Sequence, residues 1–270
     1  MKLLNGSELA GYIKERQAQQ VRRLRQAFNI EPKLAIVVTG ENPAAEIYMK
    51  VKKRYGSDIL INVDIHRVSQ AEIPSLIGQL NDDETVQGII LQLPLEDKSK
   101  TDELVKLIDP SKDVDGLNPV SDFDPATPMA ILWLLSGYNI DLLGKSVLLV
   151  GQGKLVGAPL KRILNDSEIE VSVADRSTKD LKEATLNADV VITATGVAGL
   201  IKSDMIKPGA IVIDAGVTSE ESNTRGDVAR EVYDERDDLT ITPIRGGVGP
   251  LTVCALFENL IQACQNLTKN

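Results

Sequence analysis

Tyr48 and Lys52 are the residues of this sequence whose types and spacing best suit proton chemistry. They lie four residues apart in a segment at about 43–55, which follows an apolar run and a Gly-Glu-Asn-Pro loop (40–43). If the segment is a helix, both side chains leave the same face. A phenol and an amine held together at the end of a strand can orient a substrate and move a proton. The alternative is a solvent-exposed basic helix whose lysines only aid solubility.

Three further cations lie beside this pair: Lys50, Lys53 and Arg54. Neighbouring positive charge lowers the pKa of a lysine, and partial burial acts in the same direction. We therefore expect these cations to help keep Lys52 partly neutral if its side chain is also partly buried. A neutral lysine can accept a proton and later return it.

The composition excludes several classes of function. The chain has 270 residues, 43% hydrophobic and 26% charged, as expected for a globular protein of one or two domains. Its formal net charge of -9 argues against a general nucleic-acid-binding protein. No apolar run is long enough for a signal peptide or a membrane span.

A single histidine, His66, argues against a Ser-His-Asp triad, and we expect no metal site. Two cysteines, Cys254 and Cys264, form neither a disulfide framework nor a metal motif, which favours a reducing cytoplasm.

The first half of the sequence predicts alternating helices and strands. The run at 86–93 is almost continuously apolar, which is typical of a buried parallel strand. The β-α-β order predicts a parallel sheet with helices on both faces. The predicted elements are a helix at 7–28, a strand at 34–39, a helix at 43–55, a strand at 58–67, a helix at 73–80, the strand at 86–93 and a helix at 101–108.

A polar segment at 110–126, rich in Asp, Pro, Ser and Gly, marks the best domain boundary. It is followed by an apolar linking helix at 129–135. Thr127 is expected to cap this helix and Pro128 to occupy its first position.

The second half begins with a strand at 146–150, a glycine turn (Gly-Gln-Gly-Lys-Leu-Val-Gly, 151–157) and a helix at 158–164. In this context glycines allow the backbone to approach a pyrophosphate at the helix N-terminus. The spacing is G-x-G-x-x-x-G, one residue longer than the common fingerprint. The next strand, 170–174, ends at Asp175, near where a ribose-binding acid should lie. Strands at 190–194 and 210–214 complete a unit of the dinucleotide-binding type, or alternatively a purely structural α/β unit.

The segment 242–250 (Thr-Pro-Ile-Arg-Gly-Gly-Val-Gly-Pro) places three glycines between two prolines. Ordering several glycines is entropically expensive, which favours a role in which backbone N–H groups face a ligand. A final helix is expected from 251 to about 267, long enough to return to the first unit.

Together, these segments resemble the methylenetetrahydrofolate dehydrogenase/methenyltetrahydrofolate cyclohydrolase family over essentially the whole chain. The resemblance rests on the joint order of NPAAEIYMKVKK, GIILQLPL, DPSKDVDG, ATP, VGQGKLVGAP, KPGAIVIDAG, GDV and GGVGPLTV. It implies two α/β domains: an N-terminal folate-binding domain with a mainly parallel sheet, and a Rossmann dinucleotide-binding domain, with a cleft between them. We expect the folate domain at 1–120, with the C-terminal helix 251–270 packing on it, and the Rossmann domain at 121–250.

The resemblance also implies the reactions. The family oxidises 5,10-methylenetetrahydrofolate to the methenyl form with NAD(P), and hydrolyses that product to 10-formyltetrahydrofolate, in one-carbon metabolism and purine biosynthesis. It further implies a cytoplasmic homodimer with no nucleic-acid or membrane partner. Two alternatives stay open: another NAD(P) dehydrogenase of the shikimate-dehydrogenase-like type, and a catalytically impaired folate- or dinucleotide-binding homologue.

By resemblance, Lys52 is the catalytic lysine, Tyr48 stacks on the folate and Gln92 hydrogen-bonds the lysine. Asp115 matches the acid that binds the pterin ring. Residues expected to contact the folate are Tyr48, Lys52, Gln92, Leu93, Asp115, Gly247, Val248, Gly249 and Pro250. Residues expected to bind the dinucleotide are Gly151, Gln152, Gly153, Val156, Gly157, Asp175, Arg176, Ser177, Thr195, Gly196 and Val217.

The sequence departs from the family pattern at five places. Ala45 replaces a serine, Ala130 a glycine, Gln152 an arginine, Asp175-Arg176-Ser177-Thr178 a His-Ser-Arg/Lys-Thr run, and Arg245 a proline. Most members hold the 2'-phosphate of NADP with the arginine and serine that are lost here. Asp175 favours a 2'-hydroxyl and hence NAD, whereas Arg176 can hold a phosphate. We expect NADP, with NAD as a close alternative.

Overall fold

The computed structural model describes residues 1–40, 42–220 and 223–269. One residue of the predicted 40–43 loop, Glu41, and the last residue of the predicted C-terminal helix, Asn270, lie outside the described residues. The chain divides into two compact units. The N-terminal unit comprises Gly11–Ala126 and Val253–Asn270, and the central unit comprises Met1–Ala10 and Thr127–Thr252.

The helices and strands alternate along most of the chain. In order they are β1 (Lys2–Leu3), α1 (Gly6–Phe28), β2 (Lys33–Val38), α2 (Pro43–Asp58), β3 (Asn62–Arg67), α3 (Ile73–Asp82), β4 (Gly88–Leu91), α4 (Thr101–Val105), α5 (Ala126–Gly137), β5 (Val147–Val150), α6 (Gly157–Asp166), β6 (Val171–Ala174), α7 (Leu181–Leu186), β7 (Val190–Thr193), β8 (Ile211–Asp214), β9 (Thr218–Glu220), β10 (Asn223–Arg225), α8 (Arg230–Glu235), β11 (Thr240–Ile241) and α9 (Val248–Leu267). No helix within the described ranges is both long and apolar enough to cross a bilayer.

The N-terminal unit is built on a three-stranded sheet in the order β3-β2-β4, in which every pairing is parallel. The central strand β2 is apolar and buried from residue 34 to 38, as a strand covered on both faces must be. Helix α9 contributes to this unit: Phe257 stacks on Tyr55 with ring centroids 5.0 Å apart. Asn259 Nδ2 also donates to Val114 O (3.0 Å). The predicted parallel sheet is confirmed.

The central unit holds a six-stranded, all-parallel sheet in the order β1-β11-β8-β7-β5-β6. Strand β5 lies between β6 and β7, so the chain leaves β5 in one direction across the sheet and later returns to its other side. In open α/β sheets this reversal opens a crevice at the carboxyl ends of the two strands. The loops after β5 and β7 meet there, because a Cβ added to Gly151 would lie 2.7 Å from Ala194 O.

The first ten residues group with the central unit, because β1 pairs with β11. Two predicted element boundaries are wrong. The strand predicted at 58–67 begins at Asn62, because α2 continues to Asp58 and Leu60 turns the chain with a φ of 65°. The helix predicted at 101–108 ends at Val105.

Two helix starts also differ from expectation. Helix α5 begins at Ala126, so Thr127 and Pro128 both lie in its first turn and Thr127 is not the residue before it. Helix α9 begins at Val248 rather than at 251. Pro250 fits this earlier start, because the first turn of a helix has no internal acceptor for its N–H groups.

Candidate active site

Helix α2 positions the predicted Tyr48–Lys52 pair directly after the carboxyl end of β2. Asn42 Oδ1 accepts a hydrogen bond from Ala45 N (3.3 Å), which satisfies one of the free N–H groups at the helix start. Pro43, the first helical residue, needs no N–H partner there. The predicted helix is confirmed, so Tyr48 and Lys52 leave one face of it.

Gln92 follows the end of β4 and is fixed by its own backbone. Its N–H donates to Val37 O (2.8 Å), and its side-chain Nε2 donates to Leu93 O (2.9 Å). With the amide nitrogen engaged, the amide oxygen is free to accept from Lys52 Nζ at 3.0 Å. The structure therefore brings Lys52, Gln92 and Leu93 together, and the accepting oxygen fixes the direction of the lysine amine.

The electrostatics of Lys52 are dominated by burial. Burial lowers the pKa of the Lys52 amine, and the charge of Asp115 partly opposes this shift. Burial likewise raises the pKa of the Asp115 carboxyl, with Lys52 acting in the opposite direction. No hydrogen bond or ion pair joins the two side chains within the described part of the chain. Both groups are thus biased towards their neutral forms and carry no salt bridge to each other.

The neighbouring cations contribute less than the sequence suggested. Lys50, Lys53 and Arg54 are exposed, and the pKa of Lys52 is lowered by burial rather than by their charge. The alternative of a solvent-exposed basic helix describes these three residues well. It does not describe Lys52, which is partly buried and bound to Gln92.

Tyr48 is 42% exposed, which leaves much of its ring open on the same helix face as Lys52. Partial burial raises the pKa of its phenol. The hydroxyl therefore stays protonated at neutral pH and offers one donor together with an aromatic surface.

The loop that carries Asp115 is organised by Asp113, a residue to which the sequence analysis gave no role. Asp113 is buried, and its Oδ2 accepts from Asn118 N at 2.7 Å. Its Oδ1 has no hydrogen-bond partner among the described residues. Burial raises the pKa of Asp113 to about 6, and the nearby Asp115 acts in the same direction. The only signal in the sequence was a second acid two residues before Asp115.

In the central unit, the glycine turn after β5 has the shape that a pyrophosphate requires. Gly151 has a φ of 97°, which only glycine adopts readily. A Cβ on Gly157 would overlap Gly151 O, so this position also requires glycine. Gln152 and Gly153 are exposed between them, and Val156 directly precedes α6. The turn lies at the reversal point of the sheet and leads into a helix N-terminus, so it fits the phosphates of a dinucleotide.

The loops after β6, β7 and β8 supply the other residues expected to bind the dinucleotide. Thr195 contacts the glycine turn, since a Cβ on Gly151 would lie 2.9 Å from Thr195 Cγ2. A Cβ on Gly196 would lie 3.8 Å from Val217 O, so Gly196 and Val217 are neighbours. The fold therefore groups Gly151, Thr195, Gly196 and Val217 at one edge of the sheet.

Asp175 ends β6 but is engaged by its own turn. Its Oδ1 accepts from Ser177 N (2.8 Å) and Ser177 Oγ (2.6 Å), and the hydroxyl hydrogen bond lowers the pKa of the carboxyl. Asp175 is thus an exposed, ionised acid. Arg176 is also exposed and makes no hydrogen bond or ion pair within residues 1–40, 42–220 and 223–269.

Four residues expected to contact folate belong to the central unit: Gly247, Val248, Gly249 and Pro250. Gly247 ends the loop, and the other three form the first turn of α9. The loop is held from the start of α1, where Ser7 N donates to Gly246 O (2.9 Å). Their contact with folate stays a prediction.

The departures from the family pattern fall into two groups. Ala45 and Ala130 are buried within α2 and α5, where a small apolar residue packs without an unpaired hydroxyl. Gln152 and Arg245 are exposed.

Known proteins match this chain over nearly its full length. A family model for the catalytic domain of tetrahydrofolate dehydrogenase/cyclohydrolase matches residues 4–115, and one for its NAD(P)-binding domain matches residues 125–268. The bifunctional protein FolD of Sulfurihydrogenibium sp. (strain YO3AOP1) is 39% identical over 277 residues, covering 97% of each chain.

Solved structures agree with this match. The crystal structure of the bifunctional FolD enzyme from Campylobacter jejuni superposes with a TM-score of 0.92 at 37% identity, covering 99% of each chain. The Trypanosoma brucei enzyme, crystallised with NADP and an inhibitor, has a TM-score of 0.92 at 27% identity, covering 99% of this chain and 98% of that one. With both domain models matched in order and the α/β architecture shared, the chain belongs to the tetrahydrofolate dehydrogenase/cyclohydrolase family.

Proposed function

We propose that the chain carries out both reactions of its family, with Lys52 as the group that moves protons. It oxidises 5,10-methylenetetrahydrofolate to the methenyl form and hydrolyses that form to 10-formyltetrahydrofolate. The observation that carries the residue assignment is the hydrogen bond from Lys52 Nζ to Gln92 Oε1 (3.0 Å), together with the lowered pKa of the amine. The family match favours this function over the shikimate-dehydrogenase-like and the impaired alternatives.

In the hydrolytic step, neutral Lys52 accepts a proton from the attacking water. The water oxygen bonds to the methenyl carbon, and the bond from that carbon to a ring nitrogen then breaks. Lys52 returns its proton to this nitrogen, and the second proton of the former water is released to solvent as the formyl C=O forms. Gln92 holds the amine in one direction throughout, since its oxygen accepts a hydrogen bond from either protonation state. Burial supplies the neutral fraction of the amine that the first transfer needs.

Two other side chains bind the substrate in this proposal. The exposed ring of Tyr48 stacks on the folate from the face of α2 that carries Lys52. Asp115 binds the pterin ring, which supplies the hydrogen-bond donors that its buried carboxylate does not find among the described residues. Fixing the substrate in register supplies much of the rate in the oxidative step.

A bound dinucleotide would supply the acceptor for the hydride that leaves the one-carbon bridge. The residues proposed to hold it are the glycine turn and the loops that carry Thr195, Gly196 and Val217. NADP is proposed as the cofactor, supported by the NADP complex of the Trypanosoma brucei relative and by Arg176, which makes no hydrogen bond or ion pair in the described part of the chain. NAD is the close alternative, because the ionised Asp175 repels a 2'-phosphate.

The direct test is an absorbance assay of the purified protein with 5,10-methylenetetrahydrofolate and either NADP or NAD. Reduction of one cofactor, together with loss of the methenyl absorbance in the second step, is expected. Absence of both activities in a folded protein that still binds folate would instead favour the impaired homologue. Turnover of shikimate would favour the other dehydrogenase class.

The cofactor choice is tested by Asp175→Ser. We expect the ratio of kcat/KM for NADP over NAD to rise about tenfold, because one negative charge is removed beside the 2'-phosphate. Asp180→Ser is the matched control, because it removes an exposed acid nearby while serine still caps α7. An unchanged ratio in Asp175→Ser would show that this acid serves its own turn and does not select the cofactor.

We also propose that the enzyme is a cytoplasmic homodimer whose product feeds purine biosynthesis, as the family resemblance implies. Light scattering on the purified protein tests the homodimer, since a mass near 29.3 kDa would identify a monomer.

A further inference from the structure

The sequence Gly226-Asp227-Val228 belongs to the segments that carry the family resemblance, yet none of the functions above uses it. Asp227 is fully buried, and its carboxylate accepts two backbone hydrogen bonds. Oδ2 accepts from Thr195 N at 2.6 Å, and Oδ1 accepts from Val197 N at 3.0 Å. Both donors lie in the loop that follows β7, at the reversal point of the central sheet.

Asp227 is itself held by a second acid. Asp214, the last residue of β8, accepts from Asp227 N through Oδ1 (3.0 Å) and from Val228 N through Oδ2 (3.0 Å). The peptide at 226–229 also runs beside the chain after this loop, where Ile201 N donates to Asp227 O (2.9 Å). The carboxylate of Asp227 therefore has a fixed position relative to the end of β8.

Two glycines enclose this pair of acids. A Cβ on Gly216 would overlap the Asp227 carboxylate, and a Cβ on Gly226 would overlap the Asp214 carboxylate. Both positions therefore require glycine. The loop 195–197, for its part, closes on the glycine turn, since Thr195 Cγ2 and Ala194 O both face Gly151.

We infer that Asp227 is a positioning residue for dinucleotide binding, which it serves by holding the Thr195–Val197 backbone in the shape that completes the crevice. This inference rests on the proposed function, because it assumes that the dinucleotide binds at the reversal point. Among the described residues, the Asp227 carboxylate accepts hydrogen bonds from backbone N–H groups only. Its effect is exerted through Thr195 and Gly196, and it takes no part in the hydrolytic step, which needs no dinucleotide.

The test is Asp227→Asn, measured in both reactions of the full-length protein. An amide can accept only one of the two N–H groups and turns its own donors towards the other. We expect KM for the preferred dinucleotide to rise roughly tenfold or more, the loss of one charged hydrogen bond. The KM for folate and the hydrolysis of methenyltetrahydrofolate should stay within about twofold of the wild type.

Asp189→Asn is the matched control, because Asp189 lies at the other end of β7 from the loop that Asp227 holds. Asp189 directly precedes β7, and its Oδ2 accepts from Ser146 N (3.0 Å) and Ser146 Oγ (2.8 Å). This variant should lose stability without a change in KM for the dinucleotide. A proportional fall of both activities in Asp227→Asn, or an equal rise of the dinucleotide KM in both variants, would reduce Asp227 to a structural residue and overturn the inference.

A measurement on the wild type covers the case in which Asp227→Asn does not fold. Amide hydrogen exchange at 194–198 should slow when NADP or NAD is added at saturation, because the ligand covers a loop that is already held in place. Unchanged exchange there at saturating cofactor, in an enzyme that reduces that cofactor, would contradict the inference. A wild type that reduces neither cofactor would instead contradict the proposed function, so the two failures are distinguishable.

Discussion

The buried acids of the two units have very different hydrogen-bond partners. In the central unit, Asp214 and Asp227 accept from a series of backbone N–H groups and are enclosed by glycines. In the N-terminal unit, one buried oxygen of Asp113 has no hydrogen-bond partner among the described residues, and Asp115 and Lys52 shift each other's pKa with no hydrogen bond or ion pair between them there. A carboxylate with backbone donors is a fixed acceptor that shapes a loop. A desolvated group without them has its pKa shifted towards the neutral form and can exchange protons with a substrate.

The difference follows from the task of each region. A loop that surrounds a dinucleotide must keep one shape, which strong and permanent hydrogen bonds provide. A proton-moving site must hold groups whose charge changes during the reaction, so it cannot saturate them with partners of one sign.

The largest effect is expected for Lys52→Met. Removing the amine takes away the group that accepts and returns the proton, so the hydrolysis of methenyltetrahydrofolate should fall roughly 10²- to 10⁴-fold. The oxidative step should fall less, because the hydride does not pass through the lysine. Separate assays of the two reactions measure the difference.

Lys53→Met is the matched control for this substitution. Lys53 is the next residue on α2 and is exposed, so both rates should stay close to those of the wild type. Wild-type hydrolysis by Lys52→Met would refute the assignment of Lys52. An equal loss in both variants would mean that the positive charge of the helix matters more than one buried amine.

A smaller but distinctive effect is expected for Asp113→Asn. The pKa of Asp113 is raised by burial from 3.8 to about 6. Between these values the folded chain binds more protons than the unfolded chain, so the wild type loses stability as the pH rises through this window. The asparagine variant should therefore gain up to about 3 kcal/mol in free energy of unfolding, relative to the wild type, between about pH 4 and about pH 7.

Asp109→Asn supplies a control of opposite sign from the same loop. Asp109 Oδ1 accepts from Ser111 N (2.8 Å) and Ser111 Oγ (2.6 Å), and the hydroxyl hydrogen bond lowers the pKa of the carboxyl. The stabilisation by ionised Asp109 is present at neutral pH and is lost on acidification. The free energy of unfolding of the asparagine variant should therefore fall, relative to the wild type, as the pH rises. Denaturant titrations at several pH values compare the slopes. If the free energy of unfolding, relative to the wild type, changes with pH in the same direction for both variants, Asp113 is a fixed acceptor like the acids of the central unit.

Much of the fold could be predicted from local sequence pattern. The continuous apolar runs at 34–38 and 86–93 predicted buried parallel strands, and the spacing of Tyr48 and Lys52 predicted their shared helix face. Helix and strand ends were less accurate, because propensity and periodicity change gradually. The polar residues before Asp58 look like the end of a helix, yet α2 includes them.

Long-range partners could not be predicted in this way. Asp227 lies 32 residues from Thr195 in the sequence, and only the strand order of the central sheet brings the two together. The burial of Asp113 was equally hidden, because an acid beside an alternating apolar residue usually faces solvent. The dominance of burial over neighbouring charge in lowering the Lys52 pKa could not be predicted either, since charge is visible in a sequence and burial is not.

The smallest effect, and the most specific, is expected for Gln92→Glu. This change places a carboxylate where Gln92 Oε1 now accepts from Lys52 Nζ at 3.0 Å, and a negative charge there favours the protonated amine. The pKa of Lys52 should rise, and the acidic limb of the pH profile for hydrolysis should move to higher pH by about one unit. At a fixed pH on that limb, the rate of hydrolysis should therefore be roughly tenfold lower. Gln92→Met, of similar size and without charge, is the control and should not move the limb upward. If both variants only lower the rate and leave the limb in place, the titrating group of the hydrolytic step is not Lys52, and the contrast between the two units loses its main support.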